Sequence, residues 1–394
     1  MHRFSENAKF KIFYFIRYFG DAFFYPFMSM YFLSKGVSER NLGIILAITP
    51  IVTILANPGW NYIVKDIKTS RTVLKFMTLL EGLLIITLTQ VSGFELYALI
   101  VGLIAFFCSP FISIQDGYTS TYSNAQKIEY SSIRIYASIA YVIASAMAGF
   151  IIQQIGYTVP FLMAGAFFAL TTLIAFWIKP IEKGLPPTQK KERDVKALFH
   201  NANFFRYLVY YTIVIGAVRI GDSFFGVFLT GEIEMTISAY GLLYAAFVFV
   251  EVLTLRFLTL KGNMFPERVM MIFASILFVV RFLAYALNLP LWLLIAITMF
   301  RGVSWGTVIY TNIKYVIRIV KLENITTAIL IMTLLFSMFT AIGNFFFGRL
   351  ISQVGYNSLY FVITMVIVVG LLFFLAFPPR LKTEIEEEIT TETL

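Results

Sequence analysis

Apolar residues run along this chain in stretches long enough to cross a bilayer, separated by short polar breaks. A helix needs about 20 such residues to span the hydrocarbon core. That window predicts twelve helical spans, at 10–33, 41–64, 72–91, 95–122, 130–152, 158–178, 204–230, 238–260, 267–287, 290–313, 324–350 and 357–377. The breaks carry turn or charge signals, such as Ser34-Lys35-Gly36, Val91-Ser92-Gly93 and Asn288-Leu289-Pro290. The expected fold class is therefore an all-α membrane protein. The first apolar run is too long for a cleavable signal peptide and lacks a small-residue cleavage site, so none is expected.

Composition agrees with the pattern. Of 394 residues, 59% are hydrophobic and only 13% are charged, against about 25% charged in soluble domains. Mean hydropathy is +0.81. A soluble enzyme, a disordered tail protein and a nucleic-acid module are excluded, despite the net charge of +9. With one cysteine (Cys108) and two histidines, no internal disulfide and no Cys/His metal cluster is expected. No phosphate-cradling glycine loop and no nucleophile–base constellation is present. No cofactor, metal or catalytic residue is expected, and the chain is not read as an enzyme.

The charge is distributed by side. Segments on the N-terminal side carry Arg3, Lys9 and Lys11, then Lys65, Lys68, Arg71 and Lys75, and later Lys261, Arg268, Lys314, Arg318 and Lys321, whereas the opposite side holds Lys35 and Arg40. By the positive-inside rule both termini lie in the cytoplasm. The expected location is the cell (plasma) membrane, with the lipid bilayer as the main partner. The acidic end around Glu386-Glu387-Glu388 reads as a solvated tail.

The chain also repeats itself. Gly149-Phe-Ile-Ile-Gln-Gln-Ile-Gly156-Tyr157 is echoed by Gly348-Arg-Leu-Ile-Ser-Gln-Val-Gly355-Tyr356, an offset of 199. Gly20-Asp21-Ala22-Phe23-Phe24 is echoed by Gly221-Asp222-Ser223-Phe224-Phe225, an offset of 201. Two echoes near one offset divide the chain into two pseudo-symmetric six-helix halves, 1–178 and 204–377. A cytoplasmic linker at 179–203 joins them, and an acidic tail follows at 378–394.

Charged residues inside spans are costly, about 2.5–3.5 kcal/mol each on insertion scales, and each is a functional candidate. Counting 1.5 Å per residue from the span ends puts Asp21, Glu81, Glu251, Arg281 and Arg301 near mid-depth, with Arg17, Arg219 and Asp222 close to them. Asp116 and Arg134 fall nearer the cytoplasmic ends. Arg17 with Asp21 and Arg219 with Asp222 are spaced either to neutralise each other on one helix face or to serve as gating pairs in both halves. Glu81 reads as a hydrogen-bonded structural acid. Glu251 is the candidate proton carrier, because an apolar site favours a protonated carboxyl and an approaching arginine (Arg281 or Arg301) favours its release.

Several stretches resemble the lactose-permease-like branch of the major facilitator superfamily, which includes oligosaccharide and nucleoside proton symporters. The opening spans do so through Phe13-Tyr14-Phe15, Pro26-Phe27, Asn41-Leu42-Gly43-Ile44 and Pro58-Gly59-Trp60. The loop between spans 2 and 3 is similar to that family's gating motif but lacks its glycines, leaving Asp66 and Arg71 as the candidate latch. Ser131-Ser132-Ile133-Arg134-Ile135-Tyr136-Ala137-Ser138-Ile139-Ala140-Tyr141 resembles the family's span 5 stretch, with Asp116 upstream on span 4. The resemblance implies that Asp116 and Arg134 bind substrate hydroxyls and that Tyr141 stacks on the sugar ring. It also assigns proton coupling to Glu251, Arg281 and Arg301, the last standing where relatives carry a histidine.

The expected function is secondary active transport by alternating access, with proton-coupled uptake of a sugar or oligosaccharide. The partners would be a small-molecule substrate and a proton, with no nucleic acid, and the working state a monomer. A nucleoside symporter is the neighbouring alternative, then a sugar or drug exporter, and last a non-transporting membrane sensor.

Overall fold

A computed structural model describes residues 5–64, 67–181, 195–321 and 324–380. The described chain is a succession of helices: α1 (Glu6–Phe24), α2 (Met28–Ser34), α3 (Glu39–Ile63), α4 (Ile67–Gln90), α5 (Phe94–Cys108), α6 (Phe111–Gln126) and α7 (Ser131–Ile155). There follow α8 (Thr158–Trp177), α9 (Val195–His200), α10 (Ala202–Val227), α11 (Ile237–Lys261), α12 (Glu267–Ala286), α13 (Leu291–Ile319) and α14 (Ile325–Ala376). Among the described residues, ten helical runs are long and apolar enough to cross a membrane. One of these, Thr327–Ala376, is 50 residues long and breaks at Gly355 (φ 78°), so it supplies two crossings. The run of α1 through a short 3-10 turn into α2 is also of spanning length, about 43 Å at 1.5 Å per residue. These accommodate twelve crossings.

Local chemistry explains where the helices begin and end. The Ser5 hydroxyl accepts from Ala8 N–H (3.2 Å), and Ser38 accepts from Asn41 N–H (3.4 Å). Each supplies a partner that the first helical turn cannot find within the helix. Pro110 sits at the junction where α5 gives way to α6. Gly156 ends α7 at φ 77°, and Gly355 breaks α14 at φ 78°. A side chain at either would be strained in that left-handed region. The sequence echo is thus also an echo of backbone conformation.

By contacts the chain divides into two compact units. One comprises Met1–Thr188 with Phe224–Val248, the other Gln189–Ser223 with Phe249–Leu394. In the first, α1 packs on α7 and α8, α4 on α8, and α3 on α5. Its core gathers Phe10, Phe13, Tyr14, Met77, Phe111 and Tyr118. The first turns of α11 belong to this unit. A Cβ on Gly149 would stand 2.8 Å from the Cα of Gly241, so only two glycines permit α7 and α11 to approach this closely. Gln153 Oε1 secures the contact by accepting from Ile237 N–H (2.8 Å). In the second unit α12 packs on both α13 and α14.

Many polar groups inside the helices are satisfied locally or by neighbours. Thr78 and Thr172 share a hydrogen bond at 2.7 Å between α4 and α8, and Tyr210 with Ser275 does the same between α10 and α12. Large apolar side chains such as Leu55, Leu83, Leu99, Phe150, Leu173 and Leu372 are exposed. In a water-soluble protein such a surface would be a liability. On spanning helices it is the lipid-facing surface, and this is a multi-pass membrane protein.

Candidate functional site

Three polar groupings stand out in the apolar interior. The first joins α6 to α7. The chain leaves α6 through Lys127 in the left-handed region (φ 54°) and returns in α7, which carries Arg134 back to Asp116. The Arg134 guanidinium donates to Asp116 Oδ2 and to the Tyr130 hydroxyl at 3.0 Å. Tyr14 of α1 donates to Asp116 Oδ1 at 2.9 Å. The pair remains open: the Arg134 side chain is 46% exposed and that of Asp116 28%. Tyr141 lies seven residues beyond Arg134, two turns along the same face of α7. Its ring is 5.9 Å from that of Tyr244, which in turn packs on Phe247 at 4.4 Å. Gln115, next to Asp116, is fully buried, and neither atom of its amide has a partner among the described residues.

The second grouping lies deeper, on α1 and α4. Arg17 donates to Asp21 on its own helix and to Glu81 Oε2 at 2.9 Å. Tyr25 donates to Glu81 Oε1 at 2.6 Å. The guanidinium lies between the rings of Phe111 and Phe168, 4.3 Å from each centroid, a cation–π clamp on a desolvated charge. Arg17 is 3% exposed, Asp21 7% and Glu81 0%. Sequence spacing had linked Arg17 only to Asp21. Glu81 is also part of the cluster, and hydrogen-bonded as expected.

The third grouping belongs to the second unit and centres on Asp222 of α10. Arg281 of α12 donates to Asp222 Oδ1. Arg301 Nε (3.2 Å) and Trp305 Nε1 (3.1 Å), both from α13, donate to Oδ2. Arg281 also donates through Nε to the Tyr285 hydroxyl at 3.0 Å, which shares a hydrogen bond with Thr298 at 2.8 Å. Asp222 therefore turns away from Arg219, the partner that helix spacing offered, and Arg219 is exposed. Two arginines from neighbouring helices fill the carboxylate from opposite oxygens, while Arg219 stays at the exposed surface. Glu251 is partly buried and makes no hydrogen bond or ion pair with a described residue. It lies in the field of Arg301 and Asp222.

Of the candidate latch, Arg71 donates to the Phe176 carbonyl at 3.0 Å, while Asp66 lies outside the described residues. Tyr14, Tyr25, Tyr130, Tyr285 and Trp305 were not singled out from sequence. Some of them had a legible signal. Tyr14, Arg17, Tyr18 and Asp21 share one helical stripe, Tyr130 precedes Arg134 by one turn, and Trp305 follows Arg301 by one.

Comparison with known proteins places this geometry. Residues 7–363 match the model of the MFS_1 like family. The chain belongs to that family. This transporter is 23% identical to the maltose permease of Geobacillus stearothermophilus over 396 residues, covering 98% of each chain. It is 25% identical to the transporter YwbF of Bacillus subtilis (strain 168) over 343 residues, 86% of this chain and 83% of that one. The transporter's fold is similar to the crystal structure of the nucleoside transporter NupG, with a TM-score of 0.78 at 12% identity, covering 95% of this chain and 99% of that one. A bacterial homologue of the lysosomal transporter Spinster, crystallised inward-facing and unoccupied, aligns with a TM-score of 0.65 at 13% identity, covering 94% of each chain. The fold is that of the major facilitator transporters, and the chain is a secondary transporter of that superfamily.

Proposed function

We propose that this transporter takes up a sugar or oligosaccharide together with a proton, and that the open Asp116–Arg134 pair is where the solute binds. The pair itself carries this reading. It presents a carboxylate and a guanidinium, each with exposed surface, whereas the pairs formed by Arg17 and by Asp222 are closed. A carboxylate accepts from hydroxyls and a planar guanidinium donates in a fixed fork, a set matched to vicinal hydroxyls. Tyr14 and Tyr130 hold the two charged groups in place, and Tyr141 adds an aromatic face along the same helix. The likeness to a maltose permease across nearly the full length supports a sugar. The likeness of the Arg134 stretch to nucleoside symporters, with the NupG fold, makes a nucleoside the second substrate class to test.

The proton would ride on Glu251. Arg301 is the group that can change partner. Engaged with Asp222 it leaves Glu251 to hold a proton, and swung toward Glu251 it favours release. Arg281, buried and tied to Tyr285, keeps Asp222 occupied meanwhile. Arg17 with Asp21, and Arg219 and Asp222 in the second repeat, are the gating candidates, together with Arg71 and Asp66 of the loop after span 2. The protein would work as a monomer in the plasma membrane, with both termini cytoplasmic, without cofactor, metal or chemistry on its cargo.

The test is proton movement into vesicles containing the purified protein, on adding sugars and nucleosides without an imposed gradient. Inward proton flux triggered by one class supports symport and names the class. Solute counterflow without proton flux removes the proton from the reading. Absence of both, together with no effect of changing Asp116, removes transport altogether. Glu251→Gln is expected to abolish proton movement while keeping counterflow.

A further inference from the structure

The buried cluster on α1 and α4 has one cation and two acids, and its geometry treats the acids differently. Arg17 is clamped between Phe111 and Phe168, and a guanidinium does not give up its proton in a protein. Glu81 has both oxygens filled, Oε2 by Arg17 and Oε1 by Tyr25, which suits an ionised carboxylate. Asp21 receives Arg17 on Oδ1, and its Oδ2 meets no donor among the described residues. Asp21 also keeps some exposed surface where Glu81 has none. The Arg17 Nε–H is buried without an acceptor. An ionised Asp21 with an empty oxygen would be drawn to that unmet donor, and it is not engaged there.

Two ionised carboxylates on one guanidinium would leave an uncompensated negative charge in a desolvated site, a state that a bound proton relieves. The other titratable groups facing the cluster supply no further cation within it. They are Tyr18 of α1, Tyr25 in the turn that follows it, Cys108 of α5 and Tyr141 of α7, with Asp116 of α6 and Arg134 of α7 acting on Tyr18. We propose that the Asp21 carboxyl is a proton-binding site of the first unit, loaded on Oδ2, with Glu81 as the permanent counter-ion of Arg17. The buried Tyr18 hydroxyl, which lacks a hydrogen-bond partner among the described residues, feels both Asp21 with Arg17 and Asp116 with Arg134. If the open pair binds solute as proposed above, Tyr18 is the group through which occupancy would be felt at Asp21.

Infrared spectroscopy of the purified full-length protein, without solute or gradient, reads the proton directly as a protonated-carboxyl carbonyl band that shifts in heavy water. At neutral pH such a band is expected in the wild type. It should persist in Glu251→Gln and, in that background, vanish when Asp21→Asn is added and fall about tenfold or more when Glu81→Gln is added, where Asp21 alone must balance Arg17. In the Glu251→Gln background a band that survives Asp21→Asn, or no band at all before it is added, overturns the proposal. Should the Asp21→Asn double variant not fold, Glu81→Gln in the same background decides: a reduced band supports the assignment and an unchanged one overturns it. Because no solute is present, failure here is distinguishable from failure of the symport reading, which the vesicle flux tests.

Discussion

The two buried charge clusters invert one another. In the first unit Arg17 serves two acids, Asp21 and Glu81. In the second, Asp222 serves two cations, Arg281 and Arg301. The repeat makes the inversion pointed. Asp21 and Asp222 are equivalent at an offset of 201, and each is bound into a buried cluster of its own half, one with surplus acid and one with surplus arginine. The consequence is chemical. Surplus acid is neutralised by taking up a proton, which any carboxylate can do. Surplus arginine cannot be neutralised by losing one, so the second cluster is balanced only when Glu251, the acid in its field, gives up its proton. A bound proton completes the charge balance in the first unit and leaves the second cationic.

Removing the shared partner of each cluster should have the largest effect. Arg17→Ala leaves Glu81 buried without its cation and Asp21 without its donor, and is expected to cost about 3–5 kcal/mol. Reduced yield of folded protein and a lower unfolding temperature in detergent would report it. Asp222→Asn should cost less, about 2–3 kcal/mol, because Glu251 remains to offset the arginines. If Asp222→Asn proved the more damaging of the two, the compensating role of Glu251 would be lost.

Arg134→Ala separates binding from stability. Its side chain is half exposed, so the melting temperature should stay close to wild type. Solute affinity should drop about tenfold or more, the worth of a charge-assisted hydrogen bond, as read by counterflow or direct binding. Retained affinity would make the Asp116–Arg134 pair a structural link between α6 and α7. The smallest effect tests where the repeats agree. Gly156→Ala and Gly355→Ala each force a side chain into extended backbone at positive φ, a region left essentially to glycine, at about 1–3 kcal/mol. Open space surrounds both positions, so the two unfolding temperatures should fall by similar amounts.

Much of this protein was legible along the chain. Spanning helices follow from apolar run length because lipid offers the backbone no hydrogen-bond partners, and only a helix satisfies them within one segment. The repeat and its glycine breaks were legible because a left-handed turn selects glycine whatever surrounds it. The stripe of Tyr14, Arg17, Tyr18 and Asp21 was equally open to reading, since helical spacing puts residues three, four and seven apart on one face.

Which acid meets which arginine was decided by the tertiary structure. Helix spacing offered Arg219 to Asp222, yet Asp222 closes on Arg281 and Arg301, 59 and 79 residues away. Glu81 found Arg17 across 64 residues. Asp116 and Arg134, linked beforehand only by the family resemblance, pair between α6 and α7, and that this pair stays open while those on Arg17 and Asp222 are sealed is a property of packing. The sequence by itself determined the number of crossings, the repeat and the set of embedded charges, because each depends on local composition or helical period. Only the packed helices decided the pairings and the surplus charge of each cluster. A desolvated ion takes whichever partners the neighbouring helices bring within reach, and that choice is made in three dimensions.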